Sequence, residues 1–486
     1  MKISKQLLFF SLLFAIGCQP KGVLFENALC IENISIIDPE VGLIPDQTVI
    51  IKDGKIFKVS PSVELKLASE NTIVDGKGKF LIPGLWDAHV HFAYIEALAP
   101  SMFDLFLGYG ITSVRDTGGR MEFVKNWKDR ALANPTEAPR VMIAGPLLDG
   151  HPNVYDGSDA DHPPLSVDLS SVEEVTQKVN ELDSLGVDLL KAYEMLSPEQ
   201  FMKITQLGKE KGLKVTGHVP LSMNVISASN AGLNSMEHMR NLELSCASNS
   251  EELFNERQNV LAQDLGETGS QRRTKIHDLQ RKSAVENYDE HKADEVLKVL
   301  SKNQTWQIPT MALNTMLTEQ YFTKEDWKKS LAYLPEAIES EWKKGIAMVR
   351  DRELSEFDLQ YTQWKLKMVG KMHQAKIELM AGTDCPIFFL TPGLSLHEEL
   401  AVLVRSGLTP LEALKTATFN PAKYFNLEDE LGSIKENRWA DMVILDANPL
   451  ENIEHTKQIN AVIKQGKLMD RATLDKLLKS AGKQVK

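Results

Sequence analysis

Cysteine and long apolar runs are scarce in this chain, and its 55 lysines and arginines are outnumbered by 67 acidic residues. Its 486 residues include four cysteines, Cys18, Cys30, Cys246 and Cys385. Their spacing shows no pairs, so the sequence predicts neither a disulfide framework nor a thiolate zinc site. The formal net charge of −12 argues against nucleic acid as a partner, because phosphate binding needs a basic face that no stretch supplies.

The one apolar run that raises the question of a membrane lies at the N-terminus. Lys2 and Lys5 precede an apolar stretch at residues 7–16, which is too short to span a bilayer as a mature helix. Residues 1–18 resemble a bacterial lipoprotein signal, which implies cleavage before Cys18 and lipidation of that cysteine. An uncleaved or ordinarily cleaved signal is the alternative. We expect a cell-envelope protein held to the membrane by this lipid anchor only, with Gln19 favouring the outer membrane.

The rest of the composition is typical of a globular protein with a full core. Hydrophobic residues make up 43% and charged residues 25% of a chain long enough for one large domain and a smaller companion. Residues 23–82 and 425–475 show β-branched runs punctuated by Asp-Gly or Gly turns. These two segments are predicted to complete one composite β-sandwich domain.

The central region, residues 83–424, alternates predicted strands and helices. Eight strand–helix units favour an α/β fold, a (β/α)8 TIM barrel whose catalytic groups come from the C-terminal strand ends. The first strand leads into His89, and the others are predicted at residues 111–116, 140–145, 188–193, 214–218, 235–238, 306–310 and 378–384. Much of 243–376 is charged, helical in composition and too long for ordinary loops, so we expect this insertion to cover the barrel mouth.

The strand at residues 81–91, LIPGLWDAHVH, carries the first candidate metal ligands. His89 and His91 are two residues apart, so both side chains point to one face of a strand. Imidazole suits zinc and neighbouring divalent ions. A His-x-His pair is also common on ordinary strands, so the assignment depends on the rest of the chain.

Further polar residues lie at the predicted C-terminal strand ends and complete a possible centre. The full set is His89, His91, Lys191, His218, His238 and Asp384. Four imidazoles and a carboxylate can bind two divalent ions, and a buried lysine can react with carbon dioxide to give a bridging carbamate. Such ions polarise a carbonyl and acidify a shared water, while Asp384 would orient the resulting hydroxide and pass its proton to the leaving nitrogen.

Each of these residues also has a purely structural alternative. Lys191 could pair with Glu194, His218 could be a satisfied core histidine and Asp384 could cap a helix. Because all six would need independent reasons to lie at strand ends, the sequence favours one metal centre.

These motifs resemble the metal-dependent amidohydrolase superfamily. The similarity is carried by PGLWDAHVH at 83–91, GLTPLEALKTATFNPA at 407–422 and WADMVIL at 439–445. Within the superfamily the chain is most similar to the branch of imidazolonepropionase relatives and prolidase-like amidohydrolases. The resemblance implies two divalent ions, zinc by preference, and a carbamate on Lys191. It assigns the more buried ion to His89, His91 and Asp384, and the second to His218 and His238, with Lys191 bridging.

Two further residues are candidates for binding the substrate. His151 follows the third barrel strand, in a loop where such relatives place a histidine toward the substrate; a surface histidine is the alternative. Tyr193 shares the face of Lys191 and could donate a hydrogen bond to a developing oxyanion. Prolidase-like relatives often carry a tyrosine just after the histidine of strand five, whereas Val219 stands here, so a dipeptide substrate is not favoured.

The sequence therefore predicts an enzyme that hydrolyses amide or cyclic amide bonds, carbon–nitrogen bonds other than ordinary protein peptide bonds, in a small molecule. A prolidase-like dipeptidase or an N-acyl amino acid hydrolase is the alternative within enzymes. The non-enzyme alternative is a surface lipoprotein that only binds its ligand, although such a protein could dispense with Asp384 or Lys191 and neither is lost here. A homo-oligomer is compatible with the sequence.

Overall fold

The computed structural model describes residues 22–263 and 266–483. The predicted signal segment and Cys18 lie outside these described residues. Within them, no helix combines the length and the apolar character needed to cross a membrane. Cys30, Cys246 and Cys385 are buried free thiols.

The N-terminal segment forms short strands joined by tight turns. These are β1 (Ala28–Asp38), β2 (Gly42–Lys52), β3 (Lys55–Pro61), β4 (Thr72–Asp75) and β5 (Phe80–Pro83), with a 3-10 helix at Ser62–Glu64. Strands β2 and β3 pair antiparallel around Asp53 and Gly54, whose φ angles are 51° and 77°. Two consecutive positive φ angles are what a two-residue hairpin of type I′ requires, which explains the Asp-Gly sequence.

The described residues of the central region form nine strands and the helices that connect them. The strands are β6 (Leu85–Val90), β7 (Ile111–Asp116), β8 (Arg140–Ile143), β9 (Leu147–Gly150), β10 (Ser166–Leu169), β11 (Leu189–Ala192), β12 (Lys214–Gly217), β13 (Ser235–Glu237) and β14 (Trp306–Ile308). The helices up to β14 are α1 (Ala99–Gly108), α2 (Met121–Ala133), α3 (Val172–Ser184), α4 (Pro198–Lys211), α5 (Val225–Asn230), α6 (Leu242–Ser245), α7 (Ser250–Leu261), α8 (Gly269–Glu286) and α9 (Glu290–Lys302).

After β14 the chain is mostly helical until it returns to the sheet. The helices are α10 (Met311–Glu319), α11 (Glu325–Leu331), α12 (Glu336–Arg350), α13 (Glu356–Gln374), α14 (Leu394–Arg405), α15 (Pro410–Thr416) and α16 (Phe419–Tyr424), with 3-10 helices at Tyr321–Thr323 and Ile387–Phe389. The last elements are β15 (Met442–Leu445), a 3-10 helix at Ile453–Lys457, β16 (Ile459–Lys464), β17 (Lys467–Asp470) and α17 (Arg471–Ala481).

Parallel strands of the central region close into a barrel. One set runs β6, β7, β8 and another runs β11, β12, β13, β14. The Asp188 backbone N–H donates to the Ile143 carbonyl at 2.9 Å, which joins β8 to the start of β11. On the other side, residues 378–385 form single parallel bridges to β14 at Leu379 and to β6 at Cys385.

The eighth predicted strand, residues 378–384, is therefore present in position but not as a regular strand. Its backbone bonds only intermittently to both neighbours, with Gln307 N–H donating to Glu378 at 3.0 Å and Asp384 N–H donating to His89 at 2.8 Å. The segment ends with Asp384 in the left-handed region, at a φ of 67°. A strand cannot continue through that conformation, which is where the chain turns into the barrel mouth.

The two ends of the chain build one β domain beside the barrel. Strand β15 pairs antiparallel with β5, and the eight-stranded sheet has the order β17-β16-β15-β5-β1-β2-β3, with β4 beside β1. Isoleucines of β1 and β15, Ile34, Ile36 and Ile444, belong to the buried cluster of this domain. The predicted fold class, a (β/α)8 barrel with a small β domain from both chain ends, is confirmed.

Two short strands had no counterpart in the sequence prediction. Strand β9 pairs with β10 and bonds to β11 only at Leu148 and Ala192. Strand β9 is LLDG, without the alternation of a half-buried strand, and β10 is SVDL, which alternates but has only four residues. They carry the chain from β8 across the rim of the barrel next to Lys191.

Candidate metal centre

The end of β6 and the irregular segment at 378–385 bring three of the expected ligands together. His89, His91 and Asp384 are buried, and their ligand atoms lie within 4.8 Å of one another. The Oδ1 atom of Asp384 is 3.2 Å from His89 Nε2 and 3.1 Å from His91 Nε2. Two imidazoles and one carboxylate at this spacing form a donor set suited to a divalent ion such as zinc.

The other three expected ligands line the same cavity. His238 Nε2 lies 3.6 Å from Asp384 Oδ2, and the His238 ring centroid is 4.9 Å from that of His218. Lys191, in β11, completes the lining. The cavity has a volume of about 30 Å³, roughly the space of two water-sized bodies.

Each of the four histidines is oriented through its Nδ1 atom. The partners are Glu237 for His89 at 2.6 Å, the Gly118 carbonyl for His91 at 3.1 Å, Glu194 for His218 at 2.6 Å and Thr310 Oγ1 for His238 at 2.7 Å. An acceptor on Nδ1 fixes the proton there and leaves the Nε2 lone pair free for a metal.

Lys191 is buried among these groups without a hydrogen-bond partner for its amine in the described part of the chain. Burial, partly opposed by the negative charge of Glu237, lowers the pKa of Lys191 to about 8. The alternative in which Lys191 pairs with Glu194 does not occur, because Glu194 binds His218 instead. An amine that is neutral in part near pH 8 can react with carbon dioxide.

The Asp384 carboxylate is held by its surroundings in the charged form. Burial alone would raise its pKa, but His89, His238 and His91 together hold the pKa of Asp384 well below its usual range. Gly382 lets this segment approach β6 closely, since a Cβ atom there would lie 2.8 Å from the Cβ of His89. The alternative in which Asp384 merely caps a helix has no hydrogen bond to support it among the described residues.

Several residues that position the candidate metal ligands were not predicted from the sequence. Glu237 accepts from Arg115 at 2.8 Å and from Thr216 Oγ1, so a buried ion pair positions the carboxylate behind His89. Asp87 accepts from Thr383 Oγ1 at 2.7 Å and from Thr383 N–H at 3.0 Å, which ties β6 to the irregular segment. Burial raises the pKa of Asp87 to about 7. The one signal in the sequence was the position of Asp87 two residues before the His-x-His pair.

The two expected substrate-binding residues occupy different places. Tyr193 lines the cavity, with its ring centroid 4.3 Å from that of His218. His151 does not line it: the side chain is 69% exposed, binds Asp168 Oδ2 at 2.8 Å and borders a separate groove that Glu194 also lines. The role of His151 stays a prediction. Tyr155 and Arg240 line the cavity and were not anticipated.

A (β/α)8 barrel with four histidines, a lysine and an aspartate at its C-terminal strand ends has the architecture of the metal-dependent barrel hydrolases. The sequence model of the amidohydrolase family matches residues 80–469. The chain therefore belongs to the amidohydrolase family, as its motifs predicted.

Individual relatives match only in part. An adenine deaminase from Desulforamulus reducens is 35% identical over 110 residues, 22% of this chain and 18% of the relative. An imidazolonepropionase from Shewanella loihica is 26% identical over 267 residues, 43% of this chain and 64% of the relative. The matches thus span less than two thirds of the length of these relatives.

Among solved structures, similarity extends over most of the chain. The crystal structure of a Xaa-Pro dipeptidase with bound methionine has a TM-score of 0.65 and is 18% identical, covering 91% of this chain and all of the other. At 18% sequence identity, this similarity supports a shared fold only.

Proposed function

We propose that this protein is a metal-dependent hydrolase of amide or cyclic amide bonds in small molecules. The observation that carries the proposal is the orientation of the four histidines, each bound at Nδ1 and directed by Nε2 toward one cavity. The same cavity contains Asp384 and the amine of Lys191. A buried amine without a partner is costly, and conversion to a metal-bound carbamate would remove that cost.

The donor set fits two divalent ions, and zinc is the ion that suits nitrogen and carboxylate ligands at this spacing. We assign His89, His91 and Asp384 to one ion, His218 and His238 to the other, and a carbamate on Lys191 to both. When bound, the ions would polarise the substrate carbonyl and make water nucleophilic at neutral pH.

The remaining chemistry belongs to side chains of this protein. Asp384, charged and directed into the cavity, would accept the proton of the attacking water and deliver it to the leaving nitrogen. The Tyr193 ring lies beside that of His218, and its hydroxyl would donate to the substrate oxygen as negative charge develops there. His151 would contact a distal part of the substrate from the neighbouring groove.

A narrower candidate is an enzyme acting on dipeptides or N-acyl amino acids. It is the alternative that the sequence left open, and the Xaa-Pro dipeptidase shares the fold of this chain. The non-enzyme candidate, a lipoprotein that only binds its ligand, needs neither a proton-transferring carboxylate nor a reactive lysine. We also propose that Cys18 carries a lipid that holds the protein at the cell envelope.

A substrate panel tests the hydrolase. The zinc-loaded full-length protein, in detergent, is assayed with N-acyl amino acids, dipeptides, lactams and carbamates, alongside Asp384→Asn and, as a matched control, the exposed Asp129→Asn. We expect at least one class to be hydrolysed, about 10² to 10⁴ more slowly by Asp384→Asn, the usual contribution of proton transfer. Asp129→Asn should keep the wild-type rate. Full activity in Asp384→Asn refutes its role, and binding without turnover across the panel favours the non-enzyme candidate.

A further inference from the structure

Two arginines stand at the mouth of the metal cavity. Arg240 follows His238 by two residues and lines the cavity itself. Arg273 comes from α8 in the helical insertion, with Nη1 3.5 Å from the Tyr193 hydroxyl and its guanidinium 5.8 Å from the centre of the Tyr155 ring. The insertion therefore contributes a positive charge directly above two cavity-lining tyrosines.

One buried carboxylate, Glu194, interacts with both arginines, so it supplies one negative charge for two positive charges. Arg240 Nε forms an ion pair with Glu194 Oε1 at 3.7 Å, a distance beyond hydrogen-bond reach, and the same oxygen accepts from His218 Nδ1 at 2.6 Å. In the described residues, Arg240 Nε has no hydrogen bond, and Arg273 forms no ion pair with a carboxylate. Asp159, which is close in sequence to the cavity wall, binds His162 Nδ1 at 2.8 Å.

A third arginine in this region, Arg281, is paired with a carboxylate. Arg281, two turns further along α8, binds Glu243 Oε1 at 3.2 Å. Arg273 instead bonds through Nη2 to His162 Nε2 at 3.3 Å. A partly buried guanidinium group that lacks a full carboxylate partner is costly because of desolvation, unless a ligand supplies the missing anion.

We propose that Arg240 and Arg273 bind a carboxylate of the substrate and so restrict the enzyme to acidic amides, of which N-acyl amino acids are the simplest. The proposal rests on the proposed hydrolase function and names its substrate class. Guanidinium groups match carboxylates in shape and charge, and the resulting hydrogen bonds are about twice as strong as neutral ones. Because one arginine follows a barrel strand and the other comes from the insertion, binding of the carboxylate would join these two parts of the mouth.

Matched substrate pairs test this assignment. The zinc-loaded full-length protein is assayed with N-acetyl-L-amino acids and with the corresponding N-acetyl-L-amino acid amides, which differ only in the carboxylate. We expect wild-type kcat/KM to favour the acids by about 10- to 100-fold, the usual worth of a hydrogen bond to a charged group. Arg240→Gln and Arg273→Gln should each reduce that ratio, mainly through KM of the acids, and Arg273→Lys should keep part of it. Lys282→Gln, exposed on the same helix, should keep the full ratio.

The possible results separate this proposal from the hydrolase itself. Hydrolysis of acids and amides at equal kcat/KM overturns the carboxylate subsite and leaves the hydrolase intact, and so does an equal loss on both substrates in the arginine variants. If no pair is hydrolysed, calorimetry with N-acetyl-L-leucine decides. Binding that is lost in both glutamine variants and kept in Lys282→Gln supports the subsite without the hydrolase. Binding with unchanged affinity in both glutamine variants, or no binding at all, overturns the carboxylate subsite.

Discussion

Each imidazole of the centre is positioned by a group that lies far away in the sequence. Glu237 is 148 residues from His89, and Thr310 is 72 residues from His238. The histidines could be predicted as ligands from the sequence, because the two-residue strand period and the barrel geometry fix the direction of side chains at strand ends. Their partners depend on the packing of separate strands and had no signal in the sequence.

Lys191 is the residue whose surroundings most require a ligand. Its amine lies in the cavity with no hydrogen-bond partner among the described residues, although each neighbouring histidine has one. A purely structural lysine in β11 would be replaced at no cost by an apolar residue of similar volume.

We predict that Lys191→Ala lowers the metal content from the proposed value of about two ions per chain, since the proposed carbamate on Lys191 would help four histidines and one aspartate to hold both ions. Elemental analysis and activity measurements should show metal and turnover falling together, and added short-chain acids should restore part of both. Lys209→Ala, on the exposed side of α4, serves as control. Two ions per chain in Lys191→Ala would refute the bridging role.

Regular strands with several β-branched residues were predictable from the sequence, whereas for the eighth barrel strand the position at 378–384 was predictable and its irregularity was not. Strand β7 lies where it was expected, at Ile111–Asp116. The eighth barrel strand is held by single bridges and gains its position from Gly382, where the absent Cβ allows contact with His89. Such a segment depends on the fit between neighbours rather than on periodicity.

Helix α14 contributes a buried acid that links it to α10. Glu399 Oε2 accepts from the Ala312 backbone N–H at 2.6 Å, within the first turn of α10. Burial raises the pKa of Glu399 from 4.5 to about 8. The folded protein therefore keeps this proton over a pH range in which the unfolded chain has lost it.

The consequence is a loss of stability as the pH rises. Between pH 4.5 and about 8 the folded state binds more protons than the unfolded state at this site, so the free energy of unfolding should fall with increasing pH. Glu399→Gln keeps an oxygen for Ala312 and cannot ionise, so its melting temperature should depend less steeply on pH. Thermal unfolding from pH 5 to 8 measures this, with the exposed Glu325→Gln as control. An unchanged slope would contradict the prediction.

The first described residues are attached to the small β domain. Val23 forms a bridge with Leu67, and its N–H donates to the Lys66 carbonyl at 2.8 Å. Val23 follows Cys18 by five residues, and even a fully extended chain of that length spans less than about 18 Å. A lipid on Cys18 would therefore keep the β domain close to the membrane surface.

The lipid anchor leads to a prediction for the intact protein. If Cys18 is the modified residue, Cys18→Ser should accumulate as an unprocessed precursor, because cleavage of such a signal requires the lipidated cysteine. The wild-type protein should partition into the detergent phase, since several acyl chains contribute about 0.8 kcal/mol for each buried CH2 group. Mass spectrometry of the mature N-terminus and detergent-phase separation measure both effects, with Cys30→Ser as the matched control. Release of the wild-type protein by washing without detergent would contradict the anchor while leaving the metal centre untouched.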